Sequence, residues 1–225
     1  VQTDYYKSYI TFQPIGIILG VMPWNFPFWQ VFRVAIPVLM GGNGFIFKHA
    51  PNTFNCGALI QALFEQAGFP VGLLQSVTID IDQVETCIAH PCVQGISLTG
   101  SFCAGQAVAS LAGKYGKKSV LELGGNDPYL VLDDADLDVA ASVITQSRMN
   151  NNGQVCIAAK RCLCVAQHFE ALTERILALM RDYQWGDPQS KSCRQGPMAR
   201  DDLRLALHQQ VQQSVQQGAQ CLIGG

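Results

Sequence analysis

Apolar runs of strand length alternate along the chain with longer stretches of helical period. Ile15–Met22 is a continuous apolar run, as a parallel strand covered on both faces requires, because none of its side chains can face water. A helical stretch over residues 28–40 follows and closes at Gly41-Gly42. Residues 45–48 read as a second strand and 56–66 as a helix ended by Ala67-Gly68-Phe69-Pro70. Residues 74–79, 82–89, 93–99, 104–115 and 119–123 then read strand, helix, strand, helix, strand. This repeated βαβ rhythm predicts an α/β fold with a doubly wound, Rossmann-like parallel sheet.

After Gly124-Gly125 the pattern restarts, predicting the beginning of a second α/β domain. Residues 129–132 read as a strand, and Asp134-Ala135-Asp136 offers N-caps for a helix over 137–149. A turn-prone cluster at 150–153 precedes a helical turn at 157–160, a strand at 161–165 and a helix at 168–183. A Gly/Pro-rich loop over 186–197 and a helix over 201–217 complete the pattern. Cys221-Leu222-Ile223 reads as a further strand without a partner, which suggests that the domain is incomplete.

Composition narrows the function classes. The 225 residues are 48% hydrophobic and 14% charged, a balance that fits a globular chain with buried sheet rather than a disordered one. The formal charge of −2 supplies no basic field for nucleic acid. The most apolar stretch, residues 34–47, is broken by Pro37, Gly41, Gly42 and Asn43, so no membrane span is expected. The opening Val1-Gln2-Thr3-Asp4 carries no signal pattern. Nine scattered cysteines without a C-x-x-C, and four histidines without an i,i+4 pair, predict reduced thiols, no metal and a cytoplasmic location.

Three local motifs carry chemistry. Pro23-Trp24-Asn25-Phe26-Pro27 follows the first strand, where ligands collect in such sheets, and presents the Asn25 amide there. Its alternative is a turn residue or an N-cap. Glu122-Leu123-Gly124-Gly125 closes a later strand. A carboxylate among apolar and glycine neighbours is expected to be desolvated and suited to general-base work, or else to cap something local. Cys156 sits in Gly153-Gln154-Val155-Cys156, ahead of the helix-forming Ile157–Lys160. A thiol at a helix N-terminus is favoured as thiolate, whereas a cysteine chosen at random is more often a small buried hydrophobe.

In this order, Pro-Trp-Asn-Phe-Pro, Glu-Leu-Gly-Gly and Gly-Gln-x-Cys resemble the aldehyde dehydrogenase superfamily over essentially the whole chain. Phe47-Lys48-His49-Ala50-Pro51, Leu98-Thr99-Gly100-Ser101 and Asp133–Asp138 match it as well. The resemblance implies Cys156 as nucleophile, Asn25 and the Cys156 N–H as oxyanion donors, and Glu122 as the base that activates water. It implies NAD or NADP as hydride acceptor. Lys48 would lie at the adenosine ribose, Trp24 beside the adenine-side loop, and Gly100, Ser101, Gly105 and Leu123 around the phosphates and strand end. Residues 1–14 would be a remnant of an oligomerisation strand, Tyr9–Gln13, with 15–123 the dinucleotide-binding domain and 124–225 an incomplete catalytic domain. The full-length protein is expected to be a homo-oligomer.

Departures from the family pattern matter. Where many NAD-using members carry Glu three residues after the lysine, this chain has Pro51, so no carboxylate repels a 2′-phosphate and the cofactor choice stays open. Gly42-Asn43-Gly44 replaces Gly-Asn-Thr, and the later Glu-x-Phe-Gly-Pro motif is missing. Arg33 lies eight residues after Asn25, and a guanidinium there suits a substrate with a distal carboxylate. The succinate-semialdehyde dehydrogenases have arginine at that place, which makes succinate semialdehyde the expected aldehyde, with a surface Arg paired to a neighbour as the alternative. Two other readings stay open: a CoA-acylating aldehyde dehydrogenase, and an inactive truncated fragment.

Overall fold

A computed structural model describes residues 2–224, so the ends of the expected segments at residues 1 and 225 lie outside the described residues. The chain divides into two compact units, Val1–Gly124 and Gly125–Gly225.

The first unit contains β1 (Ile17–Val21), α1 (Trp29–Met40), β2 (Gly44–Lys48), a 3-10 turn (Pro51–Thr53), α2 (Phe54–Gln66) and β3 (Leu74–Ser76). It continues through α3 (Val84–Ala89), β4 (Val93–Gly100), α4 (Phe102–Lys114) and β5 (Lys118–Leu123). The five strands are all parallel and lie in the order β3-β2-β1-β4-β5. Successive side chains of a strand point to opposite faces, and β1 shows it. Ile17, Leu19 and Val21 pack with Val84, Ile88, Val108 and Ala112 of α3 and α4. Ile18 packs with Val31 and Ala35 of α1 and with Ile60 and Phe64 of α2. The sheet is thus covered on both faces, and the doubly wound α/β expectation holds.

Gly20 faces the α1–α2 side, where the Phe45 ring crosses β1. A Cβ at Gly20 would stand 2.6 Å from Phe45 Cζ and 2.8 Å from Met22 Cε. The ring cannot retreat, because Phe45 is wholly buried and stacked on Phe47 with centroids 5.6 Å apart. Asn43 ties the first strand to the second: its Oδ1 accepts from Ile15 N at 2.7 Å and Gly16 N at 3.2 Å, while its Nδ2 donates to Val38 O.

The second unit contains β6 (Pro128–Val131), α5 (Leu137–Met149), a 3-10 turn (Asn150–Gly153) and β7 (Arg161–Cys164). A 3-10 turn (Ala166–His168), α6 (Phe169–Arg181) and α7 (Asp201–Gln216) follow. Strands β6 and β7 are parallel, and Val131, Ala141, Ile144, Ala159 and Leu172 form their core. Asp136 caps α5, its Oδ1 accepting from Asp138 N and Val139 N.

Three expected elements differ. Residues 9–13 and 221–223 form no strand, because ladder hydrogen bonds need a partner and no described strand pairs with either segment. The 157–160 helical turn is also absent. Its backbone donors go elsewhere: Ala159 N to Ser147 Oγ, and Lys160 N and Arg161 N to Asp127 O. Among the described residues no helix is long and apolar enough to cross a membrane.

Gly20→Ala is expected to destabilise the protein by about 1–3 kcal/mol through overpacking, although alanine ordinarily improves a strand glycine. Urea unfolding of the two proteins measures this; equal or greater stability of the variant would show that the Phe45 ring moves freely.

Candidate active site

Strand register and the two crossovers place the candidate residues of the first unit. In the order β3-β2-β1-β4-β5 the helix after β1 covers one face and the helix after β4 the other. The loops at the carboxyl ends of β1 and β4 therefore diverge at the switch point where such folds bind ligands. The β1 loop holds Trp24 and Asn25, both half-buried. Asn25 does not cap α1: the N-cap position is Phe28, without a side-chain bond. The first helical bond here runs from Gln30 N to Phe26 O at 3.0 Å, so the helix winds directly out of the loop.

Lys48 ends β2 and is buried, being 7% exposed, so it is not an exposed strand-end lysine. Its Nζ donates to His49 O at 3.1 Å, one of the three bonds an ammonium can make. His49, which the sequence did not single out, joins this strand end to the β1 loop. Its Nε2 lies 2.9 Å from Pro27 O and its Nδ1 3.3 Å from Thr53 Oγ1. A carbonyl only accepts, so Nε2 carries the proton, while the Thr53 hydroxyl donates to Ala50 O at 3.3 Å. Burial holds the imidazole below its ordinary titration range; the Pro27 bond opposes that and the Lys48 charge adds to it.

After β4, Ser101 caps α4, its Oγ accepting from Ala104 N at 3.2 Å. Gly105 is buried, and a Cβ there would stand 2.5 Å from Leu123 Cδ2, so this glycine lets α4 press against the end of β5. Thr99 Oγ1 is buried without a hydrogen-bond partner among the described residues. An orphaned hydroxyl and an ammonium with donors to spare, both at strand carboxyl ends, fit a polar ligand of the dinucleotide kind.

Glu122 pairs in register with Thr99. Leu121 and Leu123 pack on the α3–α4 side, so alternation turns Glu122 to the other face, where α1 runs. There its Oε2 lies 3.4 Å from Arg33 Nη2, and the two side chains are 52% and 37% exposed. The expected desolvation of Glu122 is therefore corrected. Its strand is at the sheet edge and its neighbour is a cation rather than apolar side chains.

Cys156 belongs to the second unit and is half-buried. The expectation that it heads a helix fails, since it lies in a turn closed by Ala158 N to Val155 O at 3.2 Å. The turn is prepared by three left-handed residues in succession, Asn151 (φ 48°), Asn152 (φ 56°) and Gly153 (φ 74°). For the two asparagines this is a conformation that surrounding bonds must hold. Asn152 Nδ2 donates to Gly196 O at 2.8 Å and Pro197 O at 3.0 Å, and Arg148, unremarked in the sequence, donates from Nη2 to Gly153 O at 2.6 Å and from Nη1 to Ala159 O at 3.2 Å, gripping the segment on both sides of Cys156. Lys160 Nζ donates to Cys156 O. Within this unit the missing Cβ position of Gly125 is 3.7 Å from the Cys156 carbonyl oxygen.

The sequence model of the aldehyde dehydrogenase family matches residues 1–225. The chain belongs to that family. This aldehyde dehydrogenase chain is 45% identical over 219 residues to the succinate semialdehyde dehydrogenase (NAD(P)+) Sad of Escherichia coli K12, covering 97% of this chain and 47% of that protein. It is 41% identical to the succinate-semialdehyde dehydrogenase (NADP+) of Mycobacterium leprae, covering 97% and 48%. Its fold superposes on the crystal structure of the succinic semialdehyde dehydrogenase of Streptococcus pyogenes in complex with NADP+. The TM-score is 0.95 at 34% identity, covering 100% of this chain and 49% of that one. The chain thus spans about half the length of the curated relatives it matches.

Two predictions follow from these bonds. Arg148→Met removes a charged donor from two carbonyls and is expected to cost about 1.5–3 kcal/mol, read by urea unfolding; a cost near zero would mean that the Cys156 turn holds itself. For His49 the folded state disfavours the proton relative to an unfolded chain titrating near 6.5. Its contribution to stability is complete above that value and is lost as pH falls through the lower, folded value. Stability should therefore decline more steeply between pH 7 and 5 in the wild type than in His49→Gln; parallel curves would exclude the effect.

Proposed function

We propose that this chain carries the nucleophile, the general base and the cofactor-binding elements of an aldehyde dehydrogenase acting on an aldehyde with a distal carboxylate, best represented by succinate semialdehyde. The observation that supports the reading is the Arg33 guanidinium on the α1 face of the sheet: it is exposed and paired to a neighbour, as the alternative reading of Arg33 also expects, but that neighbour is the candidate base Glu122. An exposed guanidinium next to the candidate base can take the second, anionic end of a substrate. The printed names of the relatives point to the same aldehyde.

In this reading residues 15–123 bind the dinucleotide, 124–225 belong to the catalytic domain, and 1–14 take part in a homo-oligomer of the whole protein. Cys156 Sγ attacks the aldehyde carbon as its proton leaves to solvent. The Asn25 amide and the Cys156 N–H receive the oxyanion, a donor pair in which losing one member costs roughly 2.7–4 kcal/mol. When bound, the nicotinamide of NAD or NADP would supply the hydride acceptor for this carbon, and Cys156 would then carry the acyl group as a thioester. Glu122 then takes a proton from water, hydroxide adds to the thioester carbon, the C–S bond breaks and the acid departs. Lys48, Trp24, Gly100, Ser101, Gly105 and Leu123 form the dinucleotide seat. With Pro51 exposed at the start of a 3-10 turn, no carboxylate stands three residues after Lys48 to exclude a 2′-phosphate.

The test is NAD and NADP reduction with succinate semialdehyde beside a Cys156→Ala control, which should be inactive; activity surviving in the control ends the mechanism. Arg33→Ala should raise KM for succinate semialdehyde about tenfold or more, as befits loss of a charge-assisted pair, and leave butanal nearly unchanged. Equal effects on both aldehydes would remove Arg33 from the substrate site.

A further inference from the structure

The pair formed by Arg33 and Glu122 joins two groups that the proposed chemistry uses for different tasks. A guanidinium and a carboxylate at full strength approach to about 2.7–2.9 Å and engage through two nitrogens. Here the printed approach, Nη2 to Oε2, is 3.4 Å, between side chains 37% and 52% exposed. Such a pair holds its partners weakly, and an arriving ligand can exchange one of them. The register that turns Glu122 toward α1 also leaves Arg33 as the cation it meets. A ligand carboxylate engaging the guanidinium fork therefore competes with Glu122 for the same donors.

We propose that Arg33 restrains Glu122 in the resting protein and that the distal carboxylate of the substrate releases it by taking the guanidinium. This rests on the reading of Arg33 as carboxylate ligand and Glu122 as water-activating base. Its consequence is that selectivity is exercised after the covalent step as well as in binding. An acyl group bearing a carboxylate frees the base that hydrolyses it, whereas a neutral acyl group of the same length leaves the base tethered. Arg33 then acts on hydrolysis as a positioning residue, through Glu122.

The experiment follows the decay of acyl-Cys156 by intact-mass spectrometry of the full chain, without cofactor. The acyl group is loaded from p-nitrophenyl butanoate or from mono-p-nitrophenyl succinate. In the wild type the succinyl adduct should decay about two- to fivefold faster than the butanoyl adduct, the range an exposed ion pair can supply. Arg33→Met should accelerate butanoyl decay by that factor, Arg33→Lys should restore the slow rate, and in a Glu122→Gln background the acceleration should vanish. Butanoyl decay in Arg33→Met that is equal to or slower than wild type overturns the restraint while leaving the proposed function standing. Failure to form any adduct, or an adduct that still forms in Cys156→Ala, overturns the proposed function itself, and the restraint falls with it.

Discussion

Parallel pairing of β1 with β2 on one side and β4 on the other is the constraint from which the rest of the first unit follows. Parallel strands cannot be joined by tight hairpins; each must return through a crossover that packs on a face of the sheet. Leaving β1 the chain takes one face and leaving β4 the other, so two loops part at the same end of adjacent strands. Asn25, Lys48, Ser101 and Glu122 are distant in sequence, yet all lie at or just beyond strand carboxyl ends. Their shared location is a property of topology before it is one of side chains.

Packing and polar bonding divide the labour on this scaffold. The interior is rigid: Phe45 and Phe47 are wholly buried and stacked, and Gly20 exists as glycine because the Phe45 ring occupies the room a Cβ would need. At the strand ends, buried polar bonds such as His49 to Pro27 fasten loop to strand. The Arg33–Glu122 pair, by contrast, is long and half exposed. In the second unit the uncommon left-handed path before Cys156 is held by the Arg148 guanidinium and by the Asn152 amide on Gly196 O and Pro197 O, residues that take no part in the proposed chemistry.

What was legible along the chain was whatever periodicity and motif record. Runs such as Ile15–Met22 announced buried parallel strands because burial on both faces forbids polar residues, and α5 was delimited correctly because Asp136 is a side-chain cap close to its helix. Family membership was equally legible, because short motifs in fixed order are a linear property. Two local inferences about the candidate site failed, each because a residue distant in sequence is the true neighbour. The apolar neighbours of Glu122 in sequence point to the opposite face of the strand, so its true neighbour is Arg33 from α1. The helix formers after Cys156 do not make a helix because Ser147 and Asp127 capture their N–H groups.

The sequence by itself therefore determined the order of elements, the doubly wound α/β class, the family and the identity of the candidate residues. Each of these is encoded by spacing along one dimension. Only the tertiary structure decided that Lys48 is buried, that His49 bridges to the Asn25 loop, that Arg148 grips the Cys156 turn and that Arg33 and Glu122 meet. Those are contacts between residues up to 89 positions apart in the first unit. Such contacts follow from which face of a sheet a side chain occupies and which distant carbonyl a donor can reach, and neither is written in the neighbouring residues.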